Sequence, residues 1–211
     1  MKLFSKVFNY VIHATAKFKI DESHGLTHSL DVLKYSNLIY KLEVINRPFL
    51  KDQENIIYIA SALHDMCDKK YMNENEGLDS IQEFLQDKMK PDDIDAILKI
   101  IATMSYSKVK KNGFPDLGSY QWAYNIVREA DLLAGYNFER AMVYHMYIKN
   151  DNLENAYIDA KEMFDRRVFN HNKDNLFLTK YGKRKSIRLH RKAINDIDQW
   201  SNILELRSNK N

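Results

Sequence analysis

The chain is 211 residues long, which suits one domain with a sizeable core. Its 45% apolar content describes an ordinary soluble protein, and a formal charge of +3 is too small to demand nucleic acid as a partner. One cysteine, Cys67, rules out an internal disulfide and fits a reducing compartment; with no run near the roughly eighteen apolar residues of a membrane span, a cytoplasmic protein with no membrane partner is expected.

Six glycines and three prolines leave long uninterrupted stretches, and apolar residues recur at helical spacing nearly throughout. The expected architecture is all-α, a single domain over 1–211 with about eight to nine helices, a core over about 23–135 and C-terminal helices 137–206 packing on it. The first helix runs from about Leu3 to Phe18 with an apolar stripe of Leu3, Phe4, Val7, Phe8, Val11 and Ile12. Met1 to Lys19 carries lysines and no acid, so a targeting helix is the alternative to a packing helix, although arginine is absent. A polar turn over 19–27, with Ser23 and Thr27 as candidate N-caps, leads into a second helix through His28, Val32, Leu33 and Ile39 that Asn46, Arg47 and Pro48 break.

A third helix, about Asp52 to Met66, joins an apolar run from Ile56 to Leu63 directly to His64 and Asp65. A loop over 73–77 and helices over 78–89 and 92–104 follow, then an irregular stretch, 105–118, long enough to be functional. Further helices are expected from Ser119 to Gly135, Asn137 to Ile148, Leu153 to Asn170 and Tyr181 to Leu206. The last of these would pack through Ile187, Leu189, Ile194, Ile197 and Trp200.

Three groups of residues carry chemistry. His24 and His28 stand at i, i+4 spacing, which puts both imidazoles on one helical face for two ligands, or for a ligand and a substrate contact. A buried helix that ends in His64, Asp65 and Asp68 is costly unless something pairs those groups, and a bound cation would do so. On a continuous helix these three share roughly one face. Asp131, among Ala130, Leu132 and Leu133, is the third carboxylate in an apolar setting; a salt bridge to Arg128 is its ordinary alternative.

His28, His64 with Asp65, and Asp131, in this order on three helices, resemble the signature of the HD-domain metal-dependent phosphohydrolase superfamily, in its small single-domain members. The likeness extends to His24 and Val32 around His28, to Ala62–Met66, to Ala130–Leu132, to Asp68, Lys69, Lys70 and Tyr71, to the helix ending at 104–107, and to the tail from Asn175 to Trp200. Glu129 stands where many members have Asp, and residues 132–135 are less polar than their counterparts, which weakens inference of a subgroup.

The resemblance implies an HD-type helical bundle and one divalent ion held by His28, His64, Asp65 and Asp131. That mixed N/O set suits Mn²⁺, Fe²⁺, Co²⁺ or Ni²⁺ better than Zn²⁺ or Mg²⁺. It implies hydrolysis of a phosphoric ester or anhydride in a small phosphorylated molecule, foremost a nucleotide. Conversion of a nucleoside triphosphate to monophosphate and pyrophosphate leads, with 5′-phosphatase and phosphodiesterase action open. Asp68 would handle the attacking water or brace His64. Lys70 and His24 would contact phosphate, and Lys108, beside Lys110 and Lys111 in the irregular stretch, could close over it. Cys67 fits core filling better than nucleophilic attack.

Two readings from other classes stand beside this one. The first is a metal or nucleotide sensor that binds without turnover. The second is a nucleic-acid-binding protein using the basic segment 180–192, where no Phe, Trp or Tyr interleaves for base stacking beyond Tyr181 at its start. The oligomeric expectation is monomer or homodimer.

Overall fold

The structure is a computed structural model that describes residues 2–149 and 152–205. Among the described residues it has ten α-helices, three short 3-10 segments and no strand. The helices are α1 (Leu3–Phe18), α2 (Leu26–Asn46), α3 (Glu54–Leu63), α4 (Glu74–Leu85), α5 (Pro91–Thr103), α6 (Tyr106–Asn112), α7 (Gln121–Ala134), α8 (Phe138–Lys149), α9 (Leu153–Arg166) and α10 (Lys180–Ile203). The all-α expectation holds, with more helices than the eight to nine expected. The addition is α6, inside the stretch read as irregular. Ser105 caps it by accepting the Lys108 N–H, Val109 anchors it in the core, and Gly113 at φ +76° ends it in a conformation that favours glycine.

The chain divides into two compact units, Met1–Asp131 and Leu132–Asn211. In the first, α3 is the central element and packs against α1, α2 and α5. Its sequence is apolar nearly all round, and Ile56, Ile57, Ile59, Ala60, Ala62 and Leu63 are all essentially fully buried. Each buried isoleucine or leucine is worth about 1.5–3 kcal/mol of transfer free energy. α1 is a packing helix in this unit: Val7, Val11 and Ala14 are buried, and Tyr10 stacks on Phe84 at 4.5 Å and donates to Ser80 Oγ at 2.9 Å.

Several boundaries differ from expectation for local reasons. α3 stops at Leu63, not Met66. α4 begins within the expected loop because the Asn73 side chain accepts the N–H groups of Asn75 and Glu76. α2 begins at Leu26 with Gly25 as N-cap; Ser23 does not cap it, since its hydroxyl faces His24 Nδ1 at 2.7 Å instead.

In the second unit α8 packs on α9 and α10. Phe138 meets Phe164 and Tyr157 edge-on at 5.3 and 5.7 Å, and the Tyr157 hydroxyl donates to the Ile197 carbonyl at 3.3 Å. The buried stripe of α10 runs through Gly182, Ser186, Ala193, Asp196 and Ile197. That phase leaves Ile187 and Ile194 exposed, so these two do not pack as expected. It also turns Lys180, Lys183, Arg184, Arg188, Arg191 and Lys192 outward as a solvated face. The expected end of this helix at Leu206 lies outside the described residues. No helix among the described residues is long and apolar enough to cross a membrane.

Candidate metal centre

Three side chains from the first unit, His28, His64 and Asp65, converge on one point, and Asp131 approaches the two imidazoles. His28 projects from the first turn of α2, Asp131 from the last turn of α7, and His64 and Asp65 from the turn that follows α3. At that turn the chain leaves the α-helix: Met66 N–H bonds to Leu63 O at 2.9 Å and Asp68 N–H to Asp65 O at 3.3 Å, both in i→i+3 pattern. The tightening lets neighbouring His64 and Asp65 reach the same place. It also means that Asp68 does not sit beneath His64, as a continuous helix would place it.

The spacings are those of a ligand set. His28 Nε2 and His64 Nε2 are 3.1 Å apart. Asp65 Oδ2 lies 3.4 Å from His28 Nε2 and 3.3 Å from His64 Nε2, and Asp131 Oδ1 lies 3.3 and 3.6 Å from the same two atoms. Donors bound at about 2.1 Å to one ion and meeting near a right angle stand about 3 Å apart, so these distances fit one first-row divalent ion. His28, His64 and Asp65 each offer a ligand atom within 4.8 Å of the others. Asp65 Oδ2 is buried and accepts no hydrogen bond, a costly state for a carboxylate oxygen unless a cation is beside it.

Protonation points the same way. His64 Nδ1 lies 2.8 Å from the Ser61 carbonyl, which can only accept, so Nδ1 carries a hydrogen, and in the neutral ring it is Nε2 that presents its lone pair inward. Burial works to lower the His64 pKa, but the carboxylates of Asp65 and Asp131 outweigh it and hold it well above the usual histidine value. Burial likewise works to raise the pKa values of Asp65 and Asp131, and the imidazoles around them outweigh it, so both carboxylates stay ionised far below their usual range. The cluster therefore demands positive charge at its centre, and a proton or a metal ion can supply it. Asp131 turns to the two imidazoles, while the buried Arg128 guanidinium lies over the Phe114 ring at 4.6 Å.

Beside this centre the structure brings His24 and Lys70 together: Lys70 Nζ lies 3.0 Å from His24 Nε2. Asp68 faces Lys70 and not His64. Its Oδ1 accepts the Lys70 backbone N–H at 2.9 Å, and its Oδ2 is 3.4 Å from Lys70 Nζ. Lys108 is committed elsewhere, with its ammonium paired to Glu74 and donating to the Ala102 carbonyl at 2.6 Å. Cys67 is buried, and burial pushes its thiol up to about 12, which suits packing and not attack.

Three participants lie outside the expected site residues. Ser61 orients His64 through its carbonyl, and Asp21 and Tyr71 surround His24. Tyr71 ends the 68–71 run to which the family likeness extends; nothing in the sequence singles out Asp21.

No protein-family model and no curated relative matches the chain. Among solved structures it is similar to a Lactobacillus plantarum protein whose crystal structure came from a structural-genomics programme, with 19% identity, a TM-score of 0.68 and 96% of each chain covered. That likeness speaks for the fold alone.

Proposed function

We propose that this chain is a metal-dependent phosphohydrolase of the HD type, acting on a small phosphorylated molecule. What carries the reading is the approach of two carboxylate oxygens, each 3.3–3.6 Å from both of two imidazole nitrogens that are themselves 3.1 Å apart, drawn from α2, α7 and the turn after α3. His28, His64, Asp65 and Asp131 would hold one divalent ion, with Mn²⁺, Fe²⁺, Co²⁺ or Ni²⁺ matching the N/O donors. Such an ion supplies Lewis acidity toward a phosphoryl oxygen and acidifies a bound water.

The chain's own residues do the rest. Ser61 keeps His64 in the tautomer that presents Nε2. Lys70, with its ammonium partly exposed, offers positive charge to a phosphoryl oxygen. Asp68 shapes the turn that carries Lys70 and is the carboxylate assigned to the proton of the attacking water. A nucleotide is the favoured substrate, with cleavage of a nucleoside triphosphate to monophosphate and pyrophosphate ahead of removal of a 5′-phosphate.

Asp65→Ala tests the reading. It is expected to abolish both Mn²⁺ uptake and hydrolysis in a screen of phosphorylated metabolites across Mn²⁺, Co²⁺, Ni²⁺ and Mg²⁺. Full activity with unchanged metal content would sink it. Assay of the released species, pyrophosphate or phosphate, separates the two cleavage modes.

A further inference from the structure

Asp21 and Tyr71 are polar groups for which the metal-centre reading has no use. The Asp21 side chain is almost wholly buried in the turn between α1 and α2, and Tyr71 closes the turn that carries Lys70. Asp21 Oδ1 accepts the Ser23 N–H at 2.8 Å, and its Oδ2 accepts the Tyr71 hydroxyl. Burial works to raise the Asp21 pKa, but the His24 ring, whose Nδ1 is 4.0 Å from Oδ1, and the hydrogen bonds from Ser23 and Tyr71 outweigh it and keep the carboxylate ionised. The ring of His24 lies between this pair and Lys70. Its Nδ1 is 2.7 Å from Ser23 Oγ and 3.0 Å from the Tyr71 oxygen, and its Nε2 is 3.0 Å from Lys70 Nζ.

The directions of these bonds follow from what each atom can do. An ammonium only donates, so His24 Nε2 accepts and the ring hydrogen sits on Nδ1. The Tyr71 hydroxyl spends its hydrogen on Asp21, so its oxygen is left to accept from Nδ1 together with Ser23 Oγ. The ring is thereby fixed in both orientation and tautomer. Lys70 is in turn held at its tip by His24 and by Asp68 Oδ2 at 3.4 Å, and at its backbone by Asp68 Oδ1. A lysine ammonium on a free stem loses about 2 kcal/mol of rotamer entropy when a ligand pins it, and a pre-positioned one loses less.

We propose that Asp21 and Tyr71 are positioning residues which, through His24, hold the Lys70 ammonium ready for a phosphoryl oxygen of the substrate. The inference rests on the phosphohydrolase reading and deepens it: the anion-binding half of the site is built from the α1–α2 turn and the 68–72 turn, separately from the metal ligands.

The test is a double-mutant cycle with Tyr71→Phe, which removes one oxygen and keeps the ring, and Lys70→Ala. Inorganic phosphate is titrated calorimetrically into the Mn²⁺-loaded full chain, and Mn²⁺ affinity is measured separately. Tyr71→Phe is expected to weaken phosphate roughly tenfold, the scale of one hydrogen bond to a charged group, with Mn²⁺ affinity unchanged. In the Lys70→Ala background the same change should cost nothing further. Unaltered phosphate binding in Tyr71→Phe, additive losses, or no phosphate binding by the wild type overturns the proposal.

A second readout does not involve the metal. In ¹⁵N NMR of the metal-free full chain, His24 is expected as the Nδ1–H tautomer, becoming a mixture in Tyr71→Phe and in Asp21→Asn; a wild-type His24 protonated on Nε2 instead overturns the relay. Failure of Mn²⁺ uptake would sink the metal-centre reading and leave the relay to be decided by this spectrum.

Discussion

Asp131→Ala is expected to abolish the metal-dependent stabilisation of the chain. Saturating Mn²⁺, at about a thousand times its dissociation constant, stabilises a protein that binds only when folded by about 4 kcal/mol. For a chain of this size that is a rise in melting temperature of roughly 10 °C. Asp131 Oδ1 stands within 3.6 Å of both ligand nitrogens, so its removal takes a quarter of the donor set and half of the negative charge. The variant's melting curves with and without Mn²⁺ should coincide. A wild-type-sized shift in the variant would remove Asp131 from the ligand set.

The same centre sets a pH dependence whose sign can be worked out. The folded-state pKa of His64 is raised above its unfolded value, so protonated His64 stabilises the metal-free chain fully below the unfolded value. That contribution is lost as pH rises through the folded value. A metal needs the same Nε2 without its proton. Mn²⁺ binding should therefore release a proton, and affinity should rise with pH, by about tenfold per pH unit, until the folded-state value is passed. Calorimetry in buffers of different ionisation enthalpy counts the released proton. Affinity that is flat with pH would mean that His64 binds no proton in the metal-free state.

The four residues of the candidate centre were legible because their chemistry conflicts with their neighbours. His64 and Asp65 end an apolar run, and Asp131 interrupts another, so each asks for a partner in the sequence itself. What could not be read was where α3 ends. No proline or glycine follows Leu63, and the shift from α-helix to i→i+3 turns is set by tertiary packing of Met66 and Cys67 in the core. The shared helical face expected for His64, Asp65 and Asp68 was lost with it, and Asp68 turned to Lys70.

The phase of α10 was unreadable for a related reason. Gly182, Ser186 and Ala193 form the buried stripe, and small residues give little hydrophobic signal beside Ile187 and Ile194. The bond between Tyr71 and Asp21 joins two turns 50 residues apart and leaves no periodic trace at either end.

The second large effect concerns Gly77, a buried glycine inside α4. A Cβ at this position would stand 2.6 Å from Cys67 Cβ, 2.7 Å from Cys67 Cα and 3.0 Å from Met72 Sδ. On helix propensity alone Gly77→Ala should gain up to about 1 kcal/mol. Overpacking against a rigid neighbour costs typically 1–3 kcal/mol, and here one of the clashing atoms is backbone, so the cost is expected near the top of that range. The clash wins, and the melting temperature should fall by roughly 5 °C. Because Cys67 lies two residues after Asp65 in the turn that also carries Asp68, relief of the clash must shift that turn, and Mn²⁺ affinity should fall together with stability. Adding Cys67→Ala should rescue neither property, since the contacts are to Cβ and Cα and not to Sγ. Calorimetric melting and Mn²⁺ titration of both variants check the argument; a Gly77→Ala protein as stable as the wild type would show that α4 can withdraw from the 64–71 turn without cost.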